Sequence, residues 1–293
     1  MDITLALGGG GVRGVAHIGV LRVLEREGFQ IRAVAGTSIG SVISALYSSG
    51  LTPDQIEGFF SQVDQSRLYG WPLSDGPGLL GIRNISEFLK SHLGDSSFSD
   101  MKIPCAAVAV DLNSNREIIL REGNMVDAIL GSIAVPGLFP PKEINQYLLI
   151  DGGVLDPVPV RAARALRPGL PVVAVSLMAP LASPSTPQTV PNTVTKQLVD
   201  QFTRLQITRA FRIFADAIDI GQRQMAELRL QLDSPEVLVH PDVKELNLLD
   251  RIDVQEITHR GDLAMELALP DLRRAVSFPA RSVRALRRLV GGV

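Results

Sequence analysis

Cysteine, charge of one sign and long apolar runs are what this sequence has least of, and each shortage closes off a class of function. Cys105 is the only cysteine, so no internal disulfide and no multi-thiolate metal site can form, and a reducing compartment suits the chain. Its place after Pro104, at the start of an apolar run, assigns it to core packing. Lysine and arginine number 29 against 31 aspartates and glutamates, a net charge of −2, which supplies no global attraction for nucleic acid. The longest uncharged stretch, Pro168 to Thr195, is broken by Pro171, Pro180, Pro184, Pro187 and Pro191, so it reads as strand plus linker and not as a membrane span. The opening Met1-Asp2-Ile3-Thr4-Leu5 carries an acid where a secretion signal has basic residues, and Gly8 ends its apolar run. The expectation is a protein without a cleaved leader, cytoplasmic or peripheral at a membrane. No internal repeat is evident.

What is present is a large apolar fraction, 45% of 293 residues, enough for one elaborated α/β domain or a domain with an appendage. Ile3 to Leu7 reads as a strand running into Gly8-Gly9-Gly10-Gly11-Val12-Arg13-Gly14, and a helix with an apolar face at Val15, Ile18, Leu21 and Leu24 follows to about Gly28. A second strand, Ile31 to Ala35, meets Gly36-Thr37-Ser38-Ile39-Gly40, and a helix then runs to Ser49 before Gly50 stops it. Crossovers of this kind are right-handed, so the glycine loop and the serine turn emerge on the same rim of one sheet. In Gly-x-Ser-x-Gly the serine is forced into a strained conformation that exposes its hydroxyl, while Gly36 and Gly40 keep strand and helix from clashing. The bland alternative makes Ser38 a simple helix N-cap.

Further on, helices are expected near 53–63, from Asn84 or Ser86 to His92, and over 125–133, with a loop at 67–81 available as a site wall. Ile103 to Val110 reads as a buried strand with 116–120 as its partner, and Gln146 to Ile150 as a strand delivering Asp151-Gly152-Gly153. The Ala134–Pro141 stretch, Ala-Val-Pro-Gly-Leu-Phe-Pro-Pro, forms a rigid apolar loop suited to an acyl pocket. Pro157 and Pro159 introduce a helix, and 171–178 is one more buried strand. From Val194 to about Leu232, Leu198, Phe202, Leu205, Phe211, Phe214 and Ile218 recur at helical spacing, with a break expected at Gly221. This reads as a lid or packing arm, more a core or dimer surface than a lipid anchor. A last strand at 236–241 and a closing helix at 254–267 precede a tail carrying Arg273, Arg274, Arg281, Arg284, Arg287 and Arg288. The division expected is a core at 3–180, a linker and arm at 181–235, completion of the core at 236–270 and a basic tail at 271–293.

Three strand ends thus offer a hydroxyl at Ser38, a carboxylate at Asp151 and the N–H groups of Gly9, Gly10 and Gly11, a set that suits acyl transfer. A serine needs a base, a carboxylate in a low-dielectric pocket becomes one, and backbone N–H groups at a helix start stabilise an oxyanion. Gly9-x-Gly11-x-x-Gly14 with Arg13, then Gly36-Thr37-Ser38-Ile39-Gly40, then Asp151-Gly152-Gly153, in that order, resemble a patatin-like phospholipase. His17-Ile18-Gly19-Val20-Leu21 and the Ser132–Pro141 stretch extend the resemblance over residues 3 to 160 and, more loosely, 215 to 270. It implies a three-layer α/β/α fold with a mostly parallel sheet and a lipid acyl hydrolase using a Ser-Asp dyad, without histidine, metal or cofactor. On that resemblance Ser38 is the nucleophile, Asp151 the base, and Gly9, Gly10 and Gly11 the oxyanion hole. Arg13 and Gly14 complete the first motif, and Arg13 either braces a loop or touches substrate.

Other readings stay open. The glycine motif is also a dinucleotide fingerprint, but the second strand ends in Gly36-Thr37-Ser38 where a ribose-binding acid belongs. An α/β-hydrolase triad would combine Ser38 with Asp151 or Asp156 and with His240 or His259. His17, on an apolar helix face, reads as a packed, hydrogen-bonded histidine. A protein that keeps the fold as a catalytically silent lipid-binding or scaffold module is the non-enzymatic alternative. The expected partner is a lipid or ester substrate, and a homo-oligomer is compatible with the sequence. The arginine tail is either a basic amphipathic helix resting on an anionic membrane or a solvated terminal helix.

Overall fold

Strands buried along both faces require cover on both sides, and this chain supplies it with helices above and below one sheet. The computed structural model describes residues 1–62, 80–179 and 201–277, with the backbone alone for 201–212. In chain order the elements are β1 (Asp2–Leu7), α1 (Ala16–Arg26), β2 (Gln30–Thr37), α2 (Ile39–Ser49), α3 (Pro53–Gln62), α4 (Arg83–Leu93), β3 (Cys105–Asp111) and β4 (Arg116–Leu120). They continue with α5 (Met125–Ser132), β5 (Lys142–Ile144), β6 (Tyr147–Asp151), α6 (Val160–Leu166), β7 (Val172–Val175), α7 (Gln201–Asp233), β8 (Val237–Val239) and α8 (Val254–Ala275). Hydrogen-bonded pairing links the strands along the path β5-β6-β3-β2-β1-β7-β8, and β4 also pairs with β3. From β8 through β7, β1 and β2 to β3 every pairing is parallel, and β4, β6 and β5 add antiparallel strands at the β3 end. The expected three-layer α/β/α sandwich with a mostly parallel sheet is what forms.

The two faces of the sheet differ in side-chain size. Leu5, Leu7, Val34, Val173 and Val175 join α1, α2, α5 and α8 in the larger core. The opposite face presents Ala6, Ala35, Ala106 and Ala174 with Val108 and Val172, against which the small residues Ala162 and Ala163 of α6 lie close, with Leu230 of α7 at its margin.

The arrangement around β3 positions the site. Residues Val34 to Thr37 of β2 pair with Cys105 to Val108, and β4 pairs with Ala107 to Asp111. Because β4 and β2 both pair with Ala107 and Val108, they lie on opposite edges of β3. β6 pairs with Ala109 to Asp111, so it too must avoid the β4 edge and takes the edge that β2 leaves after Val108. The carboxyl ends of β2 and β6 therefore meet head to head along one side of β3, Thr37 opposite Val108 and Asp151 opposite Ala109.

Several expectations shift in detail. α4 begins after Ile82 without a side-chain cap, so neither Asn84 nor Ser86 caps it. α7 runs through Gly221 unbroken; the glycine is exposed and costs only about 1 kcal/mol in propensity. α8 extends past Leu267 and Pro270 because Leu272 and Val276 are buried and anchor its last turns. The three-residue β5 lacks an alternating pattern and is visible only through its hairpin with β6, turned at Asn145 with φ 53°. Of the wall expected at 67–81, residues 67–79 lie outside the described residues, as do 181–200 of the linker and arm, 278–293 of the tail and the side chains of Phe202, Leu205 and Phe211. Among the described residues, no helix is long and apolar enough to cross a membrane.

Candidate active site

At the end of β2 the chain turns into α2 in one residue. Ser38 takes φ 54° and ψ −126°, a conformation costing on the order of 1–3 kcal/mol for a residue with a side chain. The neighbours enforce it. A β-carbon on Gly36 would run into the Gly40 carbonyl, and one on Gly40 into the Leu7 carbonyl, so strand and helix can pass this closely only with glycine at both positions. The Ser38 N–H donates to Ser132 Oγ at 2.9 Å, and Ser132 in turn donates to the Val108 carbonyl at 2.6 Å. The Ser38 carbonyl accepts from the N–H of Ser41 at 2.8 Å and from its hydroxyl at 2.6 Å. Thr37 Oγ1 donates to the Asp156 carbonyl at 2.8 Å, tying the turn to the loop that follows β6.

Asp151 reaches the same point from the opposite direction. Its N–H donates to the Ala134 carbonyl at 2.9 Å and its carboxylate Oδ1 accepts the Gly153 N–H at 2.7 Å. Burial pushes its pKa up from 3.8 to about 6, against hydrogen bonds from the Ser38 side chain and the Gly153 N–H that favour the charged form. The Ser38 side chain thus stands close enough to Asp151 to favour its charged form. A second raised carboxyl, Asp156, lies behind them: burial and then Glu117 raise it to about 8, and neither of its oxygens has a hydrogen-bond partner.

The glycine loop sits against both groups. Gly8 and Gly9 donate their N–H groups to the carbonyls of Val175 and Pro157, each at 2.9 Å. Gly9 is therefore spent as a donor, and its lack of a side chain serves close approach to Ser38 instead. Of the expected row Gly9, Gly10 and Gly11, Gly9 and Gly10 line the cavity beside Ser38, and Gly11 lies outside that lining. Arg13 is buried and braces the loop, its Nε donating to the Gly10 carbonyl at 3.1 Å. Burial lowers its pKa and Asp219 of α7, 4.0 Å away, raises it. Asp219 also lies 2.8 Å from Arg223 Nε, close in charge though not aligned as a hydrogen bond. His17 is buried with Nε2 at 2.8 Å from the Gly8 carbonyl, and burial lowers its pKa to about 4. It is a neutral support for the loop.

Ser38, Asp151, Gly10 and Gly153 line a cavity whose walls are Val135, Pro136 and Leu138 on one side and Met178 and Leu248 on another. Phe214, Ala215, Ile218, Asp219 and Gln222 of α7 cover it, and the Gln222 carboxamide packs over Gly153. The apolar 134–141 loop is a wall, as its composition implied. The free space is about 30 Å³, against the several hundred that a drug-sized ligand fills. His240 and His259 are not part of the lining, and both are exposed. The structure therefore brings Ser38, Asp151, Gly9 and Gly10 together and leaves the two triad histidines outside. Ser132 and the α7 residues Asp219 and Gln222 carried no role in the sequence. The signal for Ser132 is a serine ending an otherwise apolar helix; α7 gives only an Asp-Arg pair four residues apart, whose facing needs the fold.

A family model described as patatin-like phospholipase matches residues 5–164. An uncharacterised NTE family protein of Mycobacterium tuberculosis is 34% identical over 185 residues, which are 62% of this chain and 51% of that protein. Lysophospholipase NTE1 of Saccharomyces cerevisiae is 30% identical over 56% of this chain and 10% of its own length. The chain thus aligns with about half the length of the first of these relatives. Among solved structures, VipD from Legionella pneumophila superposes with a TM-score of 0.48 at 11% identity, covering 92% of this chain and 66% of that one.

Proposed function

Because the match over residues 5–164 places this chain in the patatin-like phospholipase family, we propose that it is a lipid acyl hydrolase working through Ser38 and Asp151. The observation that carries the proposal is the head-to-head meeting of β2 and β6, which sets a strained serine lining the cavity against a buried carboxylate raised to about 6. In the first step Asp151 accepts the Ser38 proton as Oγ bonds to the ester carbonyl carbon. The carbonyl oxygen takes up the negative charge, and the N–H of Gly10, which lines the cavity, is its donor. Collapse breaks the bond to the leaving alcohol, which takes the proton from Asp151, and an acyl group stays on Ser38. Water attacks that ester with Asp151 again accepting a proton, and the acid leaves as Ser38 regains its own. The apolar walls at Val135, Leu138 and Met178 suit an acyl chain of phospholipid or neutral lipid. The same proposal makes 3–180 and 236–270 the catalytic core and assigns the described helix α7 to covering the cavity.

Labelling with a fluorophosphonate probe tests the nucleophile. The wild type is expected to label and to hydrolyse p-nitrophenyl esters, and Ser38→Ala to do neither. A folded wild type that stays unlabelled would return the catalytically silent lipid-binding module, and activity lost in His240→Ala or His259→Ala with Asp151→Ala active would return the triad.

A further inference from the structure

Helix α7 is amphipathic the wrong way round. Its outward residues from Ile213 to Leu232 include Ile213, Phe214, Ile220, Leu228 and Leu232, which are 43–78% exposed, and Glu227 is the only charged residue among the exposed positions of that span. Its inward face carries the charges: Asp219 and Arg223 are buried beside Arg13, and Arg229 Nη2 lies 2.6 Å from Glu117. These inner pairs fix the rotation of the helix, so the hydrophobic effect cannot turn its apolar residues inward without stranding buried charges. Phe214 belongs to both surfaces, lining the cavity and standing exposed at the end of the apolar row. The cavity wall and this face therefore meet at Phe214.

We propose that the outer face of α7 docks on the uncharged hydrocarbon boundary of a lipid surface, laying the helix along it with Phe214 toward the lipid. The proposal rests on the lipid acyl hydrolase reading for its purpose, though not for its measurement. Two features favour lipid over a second copy of the chain. A partner chain seated on this face would cover Phe214, where the face meets the cavity wall. Five side chains of at most about 200 Å² each, exposed by 43–78%, offer on the order of 500 Å², short of the roughly 800 Å² per partner that a stable interface buries. With one charged residue on the face, attachment is apolar and so insensitive to salt, unlike attachment through the arginine tail.

The test sediments full-length Ser38→Ala protein with phosphatidylcholine vesicles at 0.1 and 1 M salt (roughly a threefold change in screening length), alone and combined with Ile220→Asp and Leu228→Asp. Neither position lines the cavity. The expected result is partition of the parent at both salt concentrations and at least tenfold weaker partition of the combined variant. In a wild-type background the two aspartates should leave turnover of a short-chain soluble ester within twofold. Equal partition of parent and variant overturns the proposal, as does binding that disappears in high salt. A parent that runs as a dimer and is made monomeric by the two aspartates, with vesicle partition unchanged, assigns the face to self-association and also overturns it. Salt-resistant, aspartate-sensitive binding with no ester turnover by the wild type supports the docking surface while removing the hydrolase reading.

Discussion

Replacing Asp151 by asparagine should make the protein more stable as it makes it inactive. The folded state holds this carboxyl at about 6 against 3.8 when free, so between those values the native protein binds a proton that the unfolded chain has released. Stability then falls as pH rises through that window and stays reduced above it. A displacement of this size corresponds to about 3 kcal/mol at about 1.4 kcal/mol per pH unit. Asparagine keeps an oxygen for the Gly153 N–H and an amide to donate to Ser38, and it removes the buried charge. Urea denaturation of wild type and Asp151→Asn from pH 4 to pH 8 should show coincident midpoints at the acid end and a gap opening to about 3 kcal/mol above pH 6. In thermal melts at pH 8 the variant should gain roughly 6 °C, while ester turnover drops by a factor of a thousand or more, roughly the loss seen when a catalytic base is removed. A variant less stable than wild type at pH 8, or a gap that does not change with pH, refutes the view that burial of this carboxylate is a cost borne for reactivity.

Because Asp151 must be ionised to accept the serine proton, kcat/KM for a neutral ester should rise with pH through about 6, and a flat profile from pH 5 to pH 8 would count against it as the base. Ser132→Ala strands the Ser38 N–H and the Val108 carbonyl; a loss of about 2 kcal/mol in stability is expected, with kcat lowered tenfold or more and KM little changed. Asp219→Asn leaves the buried Arg13 and Arg223 without their shared acid, so denaturation should report a loss of about 3 kcal/mol, and esterase assays a lower turnover as the support of the Gly10 carbonyl loosens.

The elements nearest the site were the most legible. Gly36, Ser38 and Gly40 announce their turn because no other residues fit a strand and helix that pass so closely, and the apolar 134–141 loop announces a wall through its prolines. The antiparallel course of β6 was not legible, since the five residues that deliver Asp151 carry no mark of direction. Nor was the commitment of the Gly9 N–H to Pro157, because a glycine run shows flexibility and not which amides are already taken. For α7 the periodic residues were visible but their facing was not: the spacing of Phe214 and Ile218 indicates a helix with an apolar stripe, and only the buried partners of Asp219 and Arg229 show which stripe turns inward.

The meeting of β2 and β6 on one edge of β3 makes reactivity a matter of counting residues. Each step along a strand advances the chain by about 3.4 Å and turns the next side chain to the other face. A single residue gained or lost in the small hairpin at Asn145 could therefore slide the acid one place along its rail and point it away from the hydroxyl, with every chemical group still present. Such frameshifted relatives would keep all the motifs that mark an ester-cleaving protein and perform none of the chemistry.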